Sequence, residues 1–224
     1  DLNVSANFFS GGIIGIAGNC NVKIDGSSDS EGLIRGSITS GSISLVGDTS
    51  RGEGASLYGV GIGAATVIGA FLNTNNTVLT SLSVTNINIE DLDISAPLIG
   101  RAMLGGIVGC CGNTTAKNIQ SQIQNVDIKN VDINKEVKRF AFNGGIIGLV
   151  KEGVKKCEIS NVKIIGDKNN KNTITGYRHS GGIIGLTSSD TIIDNCLIEN
   201  YEIVTDEYGE DVGGIVGKIN AVSY

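Results

Sequence analysis

A five-residue pattern, Gly-Gly-Ile-Ile/Val-Gly, recurs along the chain and constrains its fold more than any other feature. It reads Gly11-Gly12-Ile13-Ile14-Gly15, Gly105-Gly106-Ile107-Val108-Gly109, Gly144-Gly145-Ile146-Ile147-Gly148, Gly181-Gly182-Ile183-Ile184-Gly185 and Gly213-Gly214-Ile215-Val216-Gly217. A weaker copy is Gly59-Val60-Gly61-Ile62-Gly63. These six anchors begin at residues 11, 59, 105, 144, 181 and 213, so the steps between them shorten from 48 to 32 residues. Self-similarity on that scale is the mark of an array whose units bury their apolar faces only by stacking on one another.

A second motif follows each of the first five anchors and has the form x-Ile/Val-x-Asn-x-x-Ile. Its copies are centred on Asn86, Asn125, Asn161 and Asn200, with a degenerate first copy at Ser40. In the first four copies the distance from this position to the next anchor is 19 or 20 residues, so the variation in unit length lies mostly in the turn after the anchor. Stacked architectures tolerate insertions in such loops. Apolar residues recur with a spacing of two, many are β-branched, and glycines stand where a helix would be weakened by them. The expected fold is all-β: a single β-solenoid domain over residues 1–224, of about five to six coils stacked roughly 4.8 Å apart.

Composition agrees. The 33 glycines come with one proline and no Gly-X-Y period, which excludes collagen, and 40% hydrophobic residues argue against a disordered linker. Aromatics are 4% with no Trp, so the core must be built from Ile, Val and Leu. The formal charge of −6 and the lack of a long basic run exclude a phosphate-tracking surface, so nucleic acid is not an expected partner. The longest apolar run, Val60 to Leu72, contains glycines and is too short to span a bilayer.

Asn86, Asn125, Asn161 and Asn200 at one corner of successive coils would form an asparagine ladder, each amide bonding to the next; a repeated turn residue is the alternative. Cys157 and Cys196 take the same place in their copies of the motif, so stacking would bring them within disulfide range; small buried thiols are the alternative. Strict strand alternation would turn the third anchor residue outward, giving an apolar row of Ile13, Ile107, Ile146, Ile183 and Ile215 as an assembly face. Glycines that break the alternation would instead send both aliphatic residues of each anchor into the core. Asn3, Asn75 and Asn113 head glycosylation acceptor triplets.

Anchor, turn and Ile-x-Asn-x-x-Ile segment together resemble the GLUG-motif repeats over essentially the whole chain. That family occurs in large cell-surface and secreted proteins, including adhesin-like proteins. The resemblance implies an extracellular β-helical stalk or adhesive module. The chain departs from the family in using Ile where Leu is typical, in two long first units and in its cysteines.

No catalytic constellation is visible. His179, the only histidine, stands beside Arg178 just before an anchor and reads as a surface residue. There is no metalloprotease helix motif, phosphate loop or nucleophile elbow, and no cofactor or metal is expected. Asp91, Asp93, Asp127 and Asp132 are the carboxylates a polysaccharide-active β-helix would use, but their alternation with aliphatic residues is that of a half-solvated strand. The acidic stretch from Asp206 to Asp211 reads as a solvated turn, with weak calcium binding as the alternative. The threonines are too scattered for an ice-binding ladder. The sequence begins and stops in mid-repeat, which suggests either part of a longer array or ends that complete each other head to tail. The expected function is therefore a non-enzymatic structural or adhesive module, as a fibre subunit or stalk. Its expected partners are copies of itself, other surface proteins or glycans, the last through the loops at residues 25 to 35 or 70 to 80.

Overall fold

The computed structural model describes residues 2–6, 9–26, 36–45, 62–75, 77–95, 102–112, 118–133, 141–169, 171–176, 178–205 and 209–220. In chain order the strands are β1 (Leu2–Ala6), β2 (Phe9–Gly11), β3 (Ile14–Gly18), β4 (Val22–Asp25), β5 (Gly36–Leu45), β6 (Ile62–Ala65) and β7 (Ile68–Leu72). They continue with β8 (Thr80–Ser95), β9 (Ala102–Gly105), β10 (Val108–Cys111), β11 (Ile119–Ile133), β12 (Ala141–Gly144), β13 (Ile147–Val150) and β14 (Val154–Ile165). The last are β15 (Asn172–Gly176), β16 (His179–Gly181), β17 (Ile184–Thr187), β18 (Thr191–Glu199), β19 (Tyr201–Thr205), β20 (Asp211–Gly213) and β21 (Val216–Ile219). The protein is an all-β solenoid of three parallel sheets. One short strand enters the turn of each coil and another leaves it, and these form two six-stranded sheets, β2-β6-β9-β12-β16-β20 and β3-β7-β10-β13-β17-β21. In the second coil that turn is Ala65-Thr66-Val67-Ile68-Gly69, in register with Gly11 to Gly15 and Gly105 to Gly109, so the anchor read at Gly59 to Gly63 is corrected by six residues; its residues 59–61 lie outside the described ones. The remaining nine strands form a long sheet built on β1-β5-β8-β11-β14-β18.

The anchor is a hairpin-like fold of the chain. Its first glycine ends the entering strand, the next two residues turn, and the fourth starts the leaving strand. The leaving strand then runs so close to the entering strands that no side chain fits between them at the fifth position. A Cβ on Gly148 would lie 2.6 Å from the Leu104 nitrogen and 2.7 Å from the Phe142 and Gly109 carbonyl oxygens. Real Cβ atoms do not approach backbone so closely, which is why this position is glycine.

This contact decides where the aliphatic residues go. In the interior coils the third and fourth anchor residues both enter the main core: Ile107, Val108, Ile146, Ile147, Ile183 and Ile184 are fully buried there, against the inward residues of the long sheet. The expected outward row of Ile13, Ile107, Ile146, Ile183 and Ile215 is therefore corrected, since the two-residue turn rotates the third residue inward; only Ile13 and Ile215, in the outermost coils, are exposed. The sixth anchor residue joins a second, smaller cluster of Ala70, Cys110, Leu149 and Leu186 with Leu72, Met103 and Phe142.

The long strands bend at residues with positive φ, a backbone conformation that Asn and Asp tolerate better than other non-glycine residues. Two such corners lie five residues apart in β8 (Asn86, Asp91) and in β11 (Asn125, Asn130), and again at Asn195 and Asn200. The first corner carries a ladder in which each amide donates to the coil before it. Asn125 donates to Asn86 (3.1 Å), Asn161 to Asn125 (3.2 Å) and Asn195 to Asn161 (2.6 Å), while Asn86 donates to the Asp25 carboxylate (2.8 Å). Asn200 is not on this ladder; Asn195 takes that place, because Ile193-Asp-Asn195 and Ile198-Glu-Asn200 fit the same motif and β18 pairs with β14 in the earlier register. Ser40 is displaced by the same five residues, to the level of Asp91.

That register also separates the two cysteines. Cys157 stacks on Ser121 and Thr191, Cys196 stacks on Val162, and both thiols are free, so the Cys157–Cys196 disulfide is overturned.

The ladder predicts an order of stabilities. Asn161→Gly keeps the positive φ and loses the two side-chain bonds; Asn161→Ala also strains the corner, and should lower unfolding stability by about 1 to 3 kcal/mol. Urea midpoints should fall in the order wild type, Gly, Ala, and a glycine variant as stable as wild type would show that the amide bonds contribute nothing.

Candidate functional site

Among the described residues, three places gather the side chains that could carry chemistry. The first is the outer column of the entering sheet, where the register sets Met103, Phe142, His179 and Asp211 one above another. His179 is buried, not a surface residue as its neighbours in sequence suggest. Pairing of β16 with β12 lays its ring on that of Phe142, with centroids 5.1 Å apart and planes within 6° of parallel. Its Nδ1 lies 3.0 Å from Asp211 Oδ2 and its Nε2 4.0 Å from Glu210 Oε2. The same carboxylates meet Lys218, 3.2 Å from Asp211 Oδ2, and Arg178, 2.9 Å from Glu210 Oε1.

Ligand atoms of His179, Glu210 and Asp211 converge within 4.8 Å, a donor set suited in type to a divalent cation. Lys218 and Arg178 stand on both carboxylates, so an incoming ion would meet two positive charges already in place. The arrangement is a charge-balanced network closing the last coil onto the one before. Burial, followed by the Lys218 charge, holds the His179 pKa below the ordinary histidine value, against the opposite pull of Asp211 and Glu210. Of the acidic stretch, Glu210 and Asp211 belong to this network; residues 206–208 lie outside the described ones.

The second place is a group of thiols inside the stack. Cys110, Cys111 and Cys157 are fully buried, and burial pushes the Cys157 thiol up to about 12 and that of Cys111 well above its usual range. Thiols so held are protonated at neutral pH and pack as small apolar groups. Cys20 is exposed and Cys196 half-buried.

The third is the outer face of the long sheet. Asp91 accepts the Asn130 amide at 3.0 Å, and Asp132 accepts both the backbone N–H (2.7 Å) and the hydroxyl (3.3 Å) of Thr173. Lys129 bridges to Glu90 at 2.9 Å. Asp93 is exposed and Asp127 half-buried on the same face. Asp91 and Asp132 thus tie one coil to the next. Of the glycosylation acceptors, Asn3 and Asn75 are exposed, and Asn75 Oδ1 accepts from the Thr77 N–H and hydroxyl at 2.9 and 2.8 Å. Asn113 lies outside the described residues.

Tyr201 carries a role that the sequence did not announce. At the level of the second corner stands Gly166, where an added Cβ would lie 2.3 Å from the Asn200 carbonyl oxygen, and residues 167–169 and 171 are outside the sheet before β15 rejoins it. This leaves Val131 of β11 without a strand neighbour on that side. The Tyr201 hydroxyl reaches over the intervening coil, donating to the Val131 carbonyl (2.8 Å) and accepting from its N–H (3.1 Å). Burial raises the phenol pKa, so it stays protonated and able to donate.

At the two ends of the stack, β1 to β4 and β18 to β21 each pair with a single strand, whereas every other described strand has at least two partners. Among the described residues no helix is long and apolar enough to cross a membrane. Compared with family models, curated proteins and solved structures, the chain matches none.

The His179 network sets a pH dependence. With its folded pKa below the unfolded value of about 6.5, the unfolded chain binds the extra proton first, so the contribution is fully present above about pH 6.5 and is lost as the pH falls through the folded value. Thermal unfolding between pH 7.5 and 5 should show a falling midpoint, and His179→Phe, which keeps the stack on Phe142, should flatten that fall. Identical slopes for the two proteins would remove His179 from the account.

Proposed function

We propose that the chain is a non-enzymatic structural module of an extracellular or cell-surface fibre, a solenoid segment that spaces or joins other parts. The observation that carries this reading is the use made of its polar side chains. The corner asparagines, Asp91, Asp132, Tyr201 and the lone histidine are engaged in coil-to-coil contacts, as a body that must keep its shape along its axis requires. The resemblance of the anchors to GLUG-motif repeats and the exposed acceptor residues Asn3 and Asn75 support the surface location.

A second reading, an adhesin that binds glycans, has one observation in its favour: Val78 and Leu79 stand half exposed in the loop that holds Asn75. An apolar pair on a loop offers a surface for the faces of sugar rings.

Antibodies raised against residues 1–224 test the location. Labelling of intact source cells or of material shed from them is expected; labelling only after permeabilisation would overturn the proposal. Glycan-array binding by the wild type that disappears in a Val78→Ser, Leu79→Ser variant would favour the adhesin reading.

A further inference from the structure

Among the described residues, large aliphatic side chains are exposed in the first coil (Ile13, Ile16), at five positions between residues 192 and 219 in the last, and in one loop between them. That loop joins β7 to β8 and carries two of them in succession, Val78 at 50% exposure and Leu79 at 49%. Turns ordinarily present polar groups to water, and an adjacent aliphatic pair on the outside of one marks a surface that something else covers.

The loop is held in shape from within. Asn73 is fully buried beneath it; its amide donates to the Val78 carbonyl (2.8 Å) and to the Asn118 carbonyl of the next coil (3.3 Å), while its Oδ1 accepts the Asn75 N–H (2.9 Å). One carboxamide therefore grips Asn75 and Val78 on its two sides. In the coil before, Asn19 Oδ1 accepts both the N–H and the hydroxyl of Thr74, at 2.7 and 3.0 Å. The Thr80 N–H donates to the same Asn118 carbonyl at 2.9 Å. Both neighbouring coils thus fix the loop, and its shape owes nothing to what lies outside it.

Beside the aliphatic pair the loop presents Asn75, the head of the acceptor triplet Asn75-Asn76-Thr77. Its Oδ1 accepts the Thr77 N–H (2.9 Å) and hydroxyl (2.8 Å), its side chain is exposed, and its Nδ2 makes no hydrogen bond among the described residues. The amides of Asn73, Asn86, Asn125 and Asn161, in contrast, all donate within the protein.

We propose that Asn75 carries an N-linked oligosaccharide whose first sugar ring lies on Val78 and Leu79. The inference rests on the proposed surface location, and it gives the aliphatic pair to the chain's own sugar in place of a foreign one. In the transfer, Nδ2 bonds to the anomeric carbon of an oligosaccharide delivered on a lipid diphosphate. The carbon–oxygen bond to the diphosphate breaks, the lipid diphosphate leaves with its electron pair, and one Nδ2 proton passes to a base of the transferase. Nothing is oxidised or reduced. The amide keeps its carbonyl oxygen, so both Thr77 bonds survive the modification. A pyranose ring has a face of C–H groups, and a sugar on Nδ2 starts where Asn73 has already drawn Val78 up to Asn75.

Protein recovered with antibodies from source cells or their shed material tests for the sugar. Release by a peptide-N-glycosidase in heavy-oxygen water should leave a heavy-oxygen aspartate at position 75, read by peptide mass. The contact is tested on the 224-residue chain secreted from cultured eukaryotic cells, as wild type and as a Val78→Ser, Leu79→Ser variant, each before and after the same release. Losing the sugar should lower the thermal midpoint of wild type by about 2 to 4 °C and that of the variant by less than half as much, since both undergo the same change at residue 75. An unmodified Asn75 in either material would overturn the proposal, and equal shifts in the two proteins, or none in wild type, would overturn the packing on Val78 and Leu79. Cell labelling reports the location and the peptide mass reports the sugar, so the surface reading and this inference fail separately.

Discussion

The solenoid depends on one contact, the backbone-to-backbone approach of entering and leaving strands at the fifth anchor glycine. With a Cβ there, the leaving strand would have to move outward from Leu104 and Phe142, and the third and fourth anchor residues would leave the core together. The close approach makes the anchor side of each coil thin, so the long sheet must supply most of the opposing apolar surface. That sheet does so with alternating Ile, Val and Leu on both sides of each corner, and the corners in turn need residues that accept positive φ. Anchor glycines and corner asparagines are thus two parts of one requirement: a coil that turns sharply without placing bulk at its bends.

Much of this was legible in the sequence. Repeated glycine anchors, β-branched alternation and the near-constant distance from Asn to the next anchor led directly to stacked strands. Ladder contacts among Asn86, Asn125 and Asn161 also followed from spacing alone. Asn200 did not, because the Ile-x-Asn-x-x-Ile pattern occurs twice within a coil at a distance of five residues, as at Ile193 and Ile198. A repeat inside the repeat permits a slip of five, and only pairing between β14 and β18 fixes the register. The proposed cysteine pair failed with it. The third anchor residue was ambiguous for another reason: period-two reasoning assumes a continuous strand, and the chain turns there. Burial of His179 and the reach of Tyr201 to Val131 come from neighbours 37 and 70 residues away, which local pattern does not reveal.

Length variation is absorbed without breaking the stack. Where residues 167–169 and 171 leave the long sheet, Val131 of β11 loses its strand neighbour on that side, and the Tyr201 phenol, from two coils further on, takes over both of its backbone groups. An unmet backbone pair in a dry interior would cost more than the ordering of one tyrosine. The corner ladder has a direction as well. It starts on the Asp25 carboxylate, which accepts, and every amide from Asn86 to Asn195 donates toward it, so the ladder is directional along the solenoid axis.

The central claim is that the fifth anchor glycine is glycine for want of space. Urea unfolding followed by circular dichroism on Gly148→Ala, with Gly18→Ala as control, tests it most directly, because a Cβ at Gly18 would come no closer than 3.9 Å to the Leu72 carbonyl. The account predicts that Gly148→Ala loses more than about 3 kcal/mol or fails to fold, while Gly18→Ala stays within about 0.5 kcal/mol of wild type. Equal midpoints for all three proteins would contradict it.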